Sequence, residues 1–223
     1  MRIFLLLILV TSFSHAQINY EFDYLIEYEK SINVDSTKQK TVYYLTNSKD
    51  NSYIGVLSEK DSLNYQLYFR DNNLFTMSTI ISKSDFLKAD VINNDCNGVL
   101  KWNSENYART MQLLKFKKVA DTIIESEKLK HYKLYADLAN KRLKRKFGHY
   151  NYILEDSTEF HLPFFENPLE YETWLKNKKI KSGIFKEFGR YNEKHGFYLY
   201  YELKNITEIN KSLQIPEDCE QLN

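Results

Sequence analysis

The sequence predicts an α+β protein that is mainly β: a twisted antiparallel sheet with two or three short helices. Residues 20–29, YEFDYLIEYE, place Tyr20, Phe22, Tyr24, Ile26 and Tyr28 on one parity and Glu21, Asp23, Glu27 and Glu29 on the other, with Leu25 the one apolar intruder. Successive side chains of a strand point to opposite faces, so this stretch reads as a half-buried strand with a dry aromatic face and a wet acidic one. Weaker strand-like runs follow at intervals of about ten residues, punctuated by Asn and Asp, which is the rhythm of an antiparallel meander. Composition agrees: the chain is 15% aromatic, with 18 Tyr and 14 Phe beside three Pro and six Gly, and such chains suit pleated surfaces better than linkers.

Taken in order, the first strand leads into a polar turn over 31–40 and then into strands at 41–46 (TVYYLT), 52–57, 64–70 (NYQLYFR) and 74–81. Polar connections at 47–51, 61–62 and 71–73 separate them, and no helical pattern intervenes as it would in a parallel sheet. Ser84 offers an N-cap to a short helix over 85–89, and 93–98, NNDCNG, is a loop that carries Cys96. Ser104 offers a second N-cap, for a helix over 105–114 whose Tyr107, Ala108, Met111 and Leu114 form an apolar stripe. Residues 113–119 either extend that helix or begin a strand. Strand patterns resume at 122–126, 130–136, 143–147 and 150–155.

The strongest helix signal is Asn167 at the N-cap, Pro168 at N1 and Glu170 at N3, with Tyr171, Trp174 and Leu175 on one face. That helix ends near Lys179, with Gly183 beyond. Residues 184–191 and 197–206 read as a hairpin around 192–196, and the chain closes through 213–216, LQIP.

Residues 1–16 read as a secretory signal peptide: Arg2 supplies the basic start, 3–10 the short apolar run, and Ser14-His15-Ala16 a small-x-small cleavage site. The apolar run is too short for the about 20 residues of a spanning helix, so no transmembrane segment is expected in the mature chain. Residues 17–223 are then expected to form one β-rich domain, exported to the periplasm or the cell surface.

Residues 1–16 hold one base and no acid, so 31 Lys+Arg fall to 30, equal to the 30 Asp+Glu. Such a balance excludes the general basic surface that nucleic acid requires. The one basic run, KRLKRK over 141–146, reads as a wet strand end or turn, with a patch for an anionic surface as the alternative.

Cys96 and Cys219 are the two cysteines. In an exported chain an even count invites a disulfide, here across a long loop, while two free thiols remain the other reading. The histidines His131, His149, His161 and His195 are scattered, and no metal-binding spacing occurs. Glu159 and His161 share a face only if that stretch is extended. Acid pairs at Glu155-Asp156, Glu125/Glu127 and Glu21/Asp23/Glu27 fit the wet faces of strands better than catalytic pairs, which need a defined separation across a cleft. Neither a nucleophile elbow nor a phosphate loop nor a dinucleotide fingerprint is found. No catalytic residue, metal or cofactor is expected, and no ligand-binding residue is assigned.

The aromatic excess is the most suggestive feature. The run 197–203 carries large groups on both parities, which implies cover on both faces or a lined cavity, so a plain aromatic core and a ligand-holding sheet both remain open.

The sequence of features, an alternating first strand, a meander, a middle stretch with short helices, Glu125-x-Glu127-Lys128-Leu129-Lys130-His131-Tyr132-Lys133 leading into paired strands, and the closing Leu213-Gln214-Ile215-Pro216, resembles uncharacterised exported β-rich families of Gram-negative bacteria. These in turn are similar in layout to the outer-membrane lipoprotein carrier (LolA/LppX-like) fold. Where those families often carry Gly-Leu-Pro-Gly, this chain has Phe160-His161-Leu162-Pro163-Phe164. The resemblance implies a curved antiparallel sheet or half-barrel closed by helices, and a binding protein for an apolar or lipid-like ligand. The alternatives are an envelope module that binds a protein partner, and a hydrolase.

Overall fold

The computed structural model describes residues 17–32, 39–73, 75–101, 112–137, 148–192, 196–217 and 219. Five strands open the chain: β1 (Gln17–Ile32), β2 (Lys40–Thr46), β3 (Tyr53–Glu59), β4 (Asn64–Asp71) and β5 (Phe75–Ser82), each antiparallel to the next. The polar connections act through their side chains. Asn47 Oδ1 accepts from the N–H groups of Lys49 and Asp50 at 2.9 and 3.1 Å, and Asp61 Oδ1 accepts from those of Leu63 and Asn64 at 2.8 Å. Such local bonds mimic a backbone turn and fix where each strand reverses.

Helix α1 (Lys83–Lys88) follows directly on β5. Its N-cap is Ser82, whose hydroxyl accepts from Asp85 N, and not the expected Ser84, which bonds to the Ser82 hydroxyl instead. Strand pairing runs as far as Ser82 opposite Asn64, so the helix begins as soon as the ladder ends. Short strands β6 (Val91–Asn93) and β7 (Val99–Lys101) flank the loop of Cys96.

The later strands are β8 (Leu114–Lys118), β9 (Thr122–Ile124), β10 (Glu127–Leu129), β11 (His131–Ala136), β12 (His149–Leu154), β13 (Phe185–Asn192) and β14 (Gly196–Pro216), with helix α2 (Pro168–Asn177) between β12 and β13. Leu114–Lys118 is thus strand, paired with β11. The expected 122–126 strand is half of a separate hairpin: Glu125 and Ser126 turn at positive φ, and β10 folds back on β9. The expected stripe at 107–111, the strand at 143–147, the basic run 141–146, His195 and residues 1–16 lie outside the described residues.

Among the described residues the main sheet has twelve strands in the order β7-β5-β4-β3-β2-β1-β14-β13-β12-β11-β8, with β6 added in parallel to the end of β14. β7 and β8 stand at opposite ends of this order, so among the described residues the sheet is open. The expected hairpin strand 197–206 and closing segment 213–216 are one 21-residue strand. Its polar middle stays extended because β1 lies alongside it, from Gln17 opposite Pro216 to Ile32 opposite Leu199.

Two cores form on opposite faces of the meander. Val42, Tyr44 and Ile54 pack with Ile26, Tyr28, Tyr152, Phe185, Phe188, Tyr201 and the α2 region. Leu45, Tyr53 and Leu57 pack instead with Tyr20, Phe22, Leu67, Phe69, Phe75, Leu213 and Ile215. The aromatic parity of β1 is therefore shared between the cores, and the change falls at the irregularity between Phe22 and Tyr24. Such irregularities bend a strand and increase its twist. In the second core Cys96 and Cys219 are joined at 2.11 Å, with their Cα atoms 5.0 Å apart.

Candidate functional site

The site assembles around the N-terminus of α2. Asn167 caps it, its Oδ1 accepting from Leu169 N at 2.9 Å, and Pro168 costs nothing at N1 because the first N–H groups of a helix lack partners anyway. The buried face consists of Glu170, Tyr171, Thr173 and Trp174; Leu175, expected on it, is 42% exposed. Trp174 sets the rotation, donating from Nε1 to Ile180 O at 2.6 Å.

Arg70, at the end of β4, is buried beneath the loop that enters this helix. It donates from Nη2 to Phe165 O at 2.6 Å, from Nη1 to Glu166 O and from Nε to Asn72 Oδ1 at 2.9 Å. A guanidinium is the one side chain that satisfies three acceptors from a rigid planar fork. The loop is thereby fixed against the sheet. Glu166, whose carbonyl Arg70 holds, accepts with its carboxylate from the Tyr201 hydroxyl at 2.7 Å.

Glu170 is 5% exposed. Burial pushes its carboxyl up to about 8, helped by the charge of Glu166 and opposed by Arg70 and by the Tyr152 hydroxyl beside it. A buried carboxyl without a full counter-charge keeps its proton. The phenols around it move the same way: burial and the nearby acids push Tyr150 up to about 12, and Tyr152 and Tyr201 well up. By hydrogen-bond geometry the buried hydroxyls of Tyr44 and Tyr152 have no partner among the described residues, although each is close enough to Tyr201 and Glu170 respectively to couple with it.

Above this cluster opens a cleft of about 430 Å³. Its walls are Tyr68, Tyr150, Leu169, Leu199 and Tyr201, with Glu166 and Glu170 at the helix side and Lys30 and Arg190 on the sheet. Both cations lie over rings, Lys30 Nζ 5.3 Å from the centre of Tyr201 and Arg190 5.8 Å from that of Tyr150. A smaller space of about 60 Å³ adjoins it, sharing Tyr150, Leu169, Glu170 and Arg190. The volume is that of a small-ligand site, about 300–1,000 Å³. The aromatic groups below it are packed solid: Phe188 stacks on Tyr201 at 4.3 Å, and the Tyr28 hydroxyl donates to Phe185 O at 2.5 Å.

Leu199 and Tyr201 of the 197–203 run line this cleft, whereas the acids and histidines weighed from the sequence fall elsewhere. Residues 156–158 form a 3₁₀ turn, so Glu159 and His161 do not share an extended face. Glu159 pairs with Lys130 at 2.9 Å in solvent, while His161 is fully buried, its Nε2 2.9 Å from Thr46 Oγ1 and its Nδ1 2.5 Å from Leu162 O. Burial holds the His161 imidazole below its ordinary range. Glu155 and Glu125 converge on Lys186 at 3.2 and 3.9 Å, and Asp23 accepts from the Ser48 N–H and hydroxyl at 2.7 and 2.5 Å. Of the acids that share the cleft, Glu170 was offered by the sequence only as the N3 residue of a helix start, and Glu166 was not singled out at all. Among the described residues no helix is long and apolar enough to cross a membrane.

No family model and no curated protein matches the sequence. Among solved structures the chain is similar, over 92% of its length, to a chain of the MucA/MucB complex of Pseudomonas aeruginosa, with a TM-score of 0.38, 11% identity and 56% of that chain covered. It is similar over 83% to MucB in complex with MucA(peri), with a TM-score of 0.37, 7% identity and 50% of that chain covered. A putative outer membrane lipoprotein-sorting protein domain from Vibrio parahaemolyticus is similar over 84%, with a TM-score of 0.31, 10% identity and 85% of that chain covered. The chain thus spans about half the length of the MucA/MucB complex chains it matches.

Proposed function

We propose that the chain is an exported binding protein, released from a signal peptide at residues 1–16 as one β-rich domain, whose cleft above Glu170 holds an apolar-bodied or lipid-like ligand. The observation that carries this is the cleft itself, with its tyrosine and leucine walls over a rigidly packed floor. Arg70 supports the reading, because a buried guanidinium spent on loop carbonyls holds the mouth in shape without a ligand. The bridge between Cys96 and Cys219 supports an oxidising compartment.

The test is native mass spectrometry of the protein purified from an exporting host, followed by denaturing extraction. A stoichiometric adduct released on unfolding, together with a mass that begins at Gln17, is expected. A bare mass that stays bare after incubation with a membrane lipid extract overturns the reading.

Docking of a protein partner on a sheet edge is the weaker alternative. β8 presents Lys115, Lys117 and Lys118 at one end of the sheet and β7 is three residues long at the other, and lysines and short strands are what keep edges from pairing. A hydrolase has one observation in its favour, the shared cleft of Glu166 and Glu170 with the latter's carboxyl raised. Turnover of an ester or glycoside panel that Glu170→Gln abolishes would establish it.

A further inference from the structure

We propose a further binding site, independent of the cleft: a trough on the opposite face of the sheet in which Lys117, Lys133 and Asn151 hold the phosphate group of a phosphomonoester. Phe116, Tyr132, Leu134 and Tyr152 turn into the first core, so the alternate side chains of β8, β11 and β12 stand on the outer face. Register sets three of them in one row. Lys117 of β8 is directly opposite Lys133 of β11, and Lys133 is directly opposite Asn151 of β12. Side chains so placed share a face with their Cβ atoms about 5 Å apart, which lets both ammonium groups converge on one phosphate-sized anion between them.

The row holds no anion of its own. Lys115 on the same strand meets Asp137 at 2.5 Å, and Lys118 meets Asp121 at 3.5 Å. Lys117 and Lys133 have no acid and no hydrogen-bond acceptor among the described residues. Like charges directly opposite destabilise a strand pair, so the two lysines leave a repulsion that a bound anion removes. Lys133 is half-buried, and its charge adds to burial in holding the His131 imidazole below its ordinary range, against the Asn151 amide. His131 Nε2 lies 3.1 Å from Asn151 Oδ1. A neutral imidazole donating there takes the amide oxygen and leaves the Asn151 NH2 as a third donor to the row.

The space around the row is continuous. One hollow of about 420 Å³ is lined by Lys117, Lys133, Tyr135 and His149, and another of about 390 Å³ by Lys133, His149, Asn151 and Tyr191, so Lys133 and His149 belong to both. Asp137, the acid on the wall of the first, is the one paired with Lys115. The rings of His149 and Tyr191 lie 4.9 Å apart, and with Tyr135 they give flat walls for the organic body of the ester. A phosphomonoester carries about −1.5 to −2 charges near pH 7 and three acceptor oxygens, which matches two ammonium groups and an amide. A carboxylate brings one charge and two oxygens and leaves one lysine uncompensated. The same phosphate chemistry is offered by a soluble ester and by a lipid headgroup.

Isothermal titration of the disulfide-bonded protein at low salt with phenyl phosphate and with benzoate tests the site, and sedimentation with phosphatidylcholine vesicles, with and without phosphatidate, separates the two sources. Phenyl phosphate should bind at least roughly tenfold tighter than benzoate, and Lys117→Gln and Lys133→Gln should each weaken it roughly tenfold. Lys118→Gln, which removes the same charge from the other parity of β8 opposite Tyr132, should change it by less than roughly twofold. Sedimentation with phosphatidate vesicles that the Lys117 and Lys133 variants abolish assigns the phosphate to a lipid; titration by phenyl phosphate without vesicle binding assigns it to a soluble ester. Equal affinity for phenyl phosphate and benzoate, binding kept by both lysine variants, an equal loss in Lys118→Gln, or no binding of ester and vesicles alike overturns the site. None of these outcomes touches the reading of the cleft, whose walls lie on the other face.

Discussion

Replacing Glu170 by glutamine tests whether the carboxyl under the cleft is held neutral. In the unfolded chain it ionises near 4.3, and in the fold burial moves it to about 8. Between these values the unfolded chain has lost a proton that the native state keeps, so stability falls as pH rises. Below about 4.3 both states are protonated and the effect vanishes; above about 8 both are ionised and the full cost, about 5 kcal/mol at 1.36 kcal/mol per pH unit, is in force. At pH 7 it is about 3.6 kcal/mol. Glutamine keeps the shape of the protonated acid and does not ionise. Glu170→Gln should therefore match the wild type within about 1 kcal/mol near pH 4 and exceed it by about 3.6 kcal/mol at pH 7. Urea unfolding with the Cys96–Cys219 bridge intact, followed by tryptophan fluorescence over a pH series, measures the difference directly. A difference that stays flat from about pH 5 to about pH 8 refutes the reasoning, since the carboxyl would then ionise alike in both states.

Arg70→Leu should cost about 3–5 kcal/mol, because it strips the buried carbonyls of Phe165 and Glu166 and the Asn72 amide oxygen of their donor; limited proteolysis should then cut within 162–167, and an unchanged urea midpoint with an uncut loop counts against the anchor. Replacing both cysteines by serine opens a loop spanning a sequence separation of 123 and should lower stability by about 4 kcal/mol, read as a shift in urea midpoint that reductant reproduces in the wild type. His161, held neutral by burial, refuses a proton that the unfolded chain accepts below about 6.5, so stability should drop as pH falls through that value. His161→Gln should remove that share of the drop, and thermal melts at about pH 7.5 and pH 5.5 in which wild type and variant lose the same stability would contradict it.

The strands of the first half were legible because their information is local. Alternation in β1 and Asn or Asp turns at 47, 61 and 71 act within a few residues, and the structure bonds them within the same few residues. The cap of α2 was legible for the same reason. Its orientation was not: Glu170 at N3 reads as a wet capping acid, and it is buried because Arg70 and Tyr152 approach from strands far away in sequence. No pattern near Arg70 announces it either, since it ends the polar parity Asn64, Gln66, Tyr68 and meets its partners 95 and 96 residues later. β14 was split in the sequence reading because its polar middle looks like a connection when β1 is not beside it.

The pairing of β1 with β14 has a consequence for how the molecule comes into being. The earliest described strand and the last are each other's central neighbours, with Gln17 opposite Pro216, so the two meanders on either side can form from nearby residues while the seam between them waits for the end of the chain. Such long-range pairing is slow and leaves unpaired edges exposed in the interval. During that wait β1 presents a row of tyrosines on one parity and an open ladder toward its missing partner, which makes it the segment most in need of a chaperone's cover. A chain cut short before β14 would keep much of its local structure and lose the one contact that makes two sheets into one.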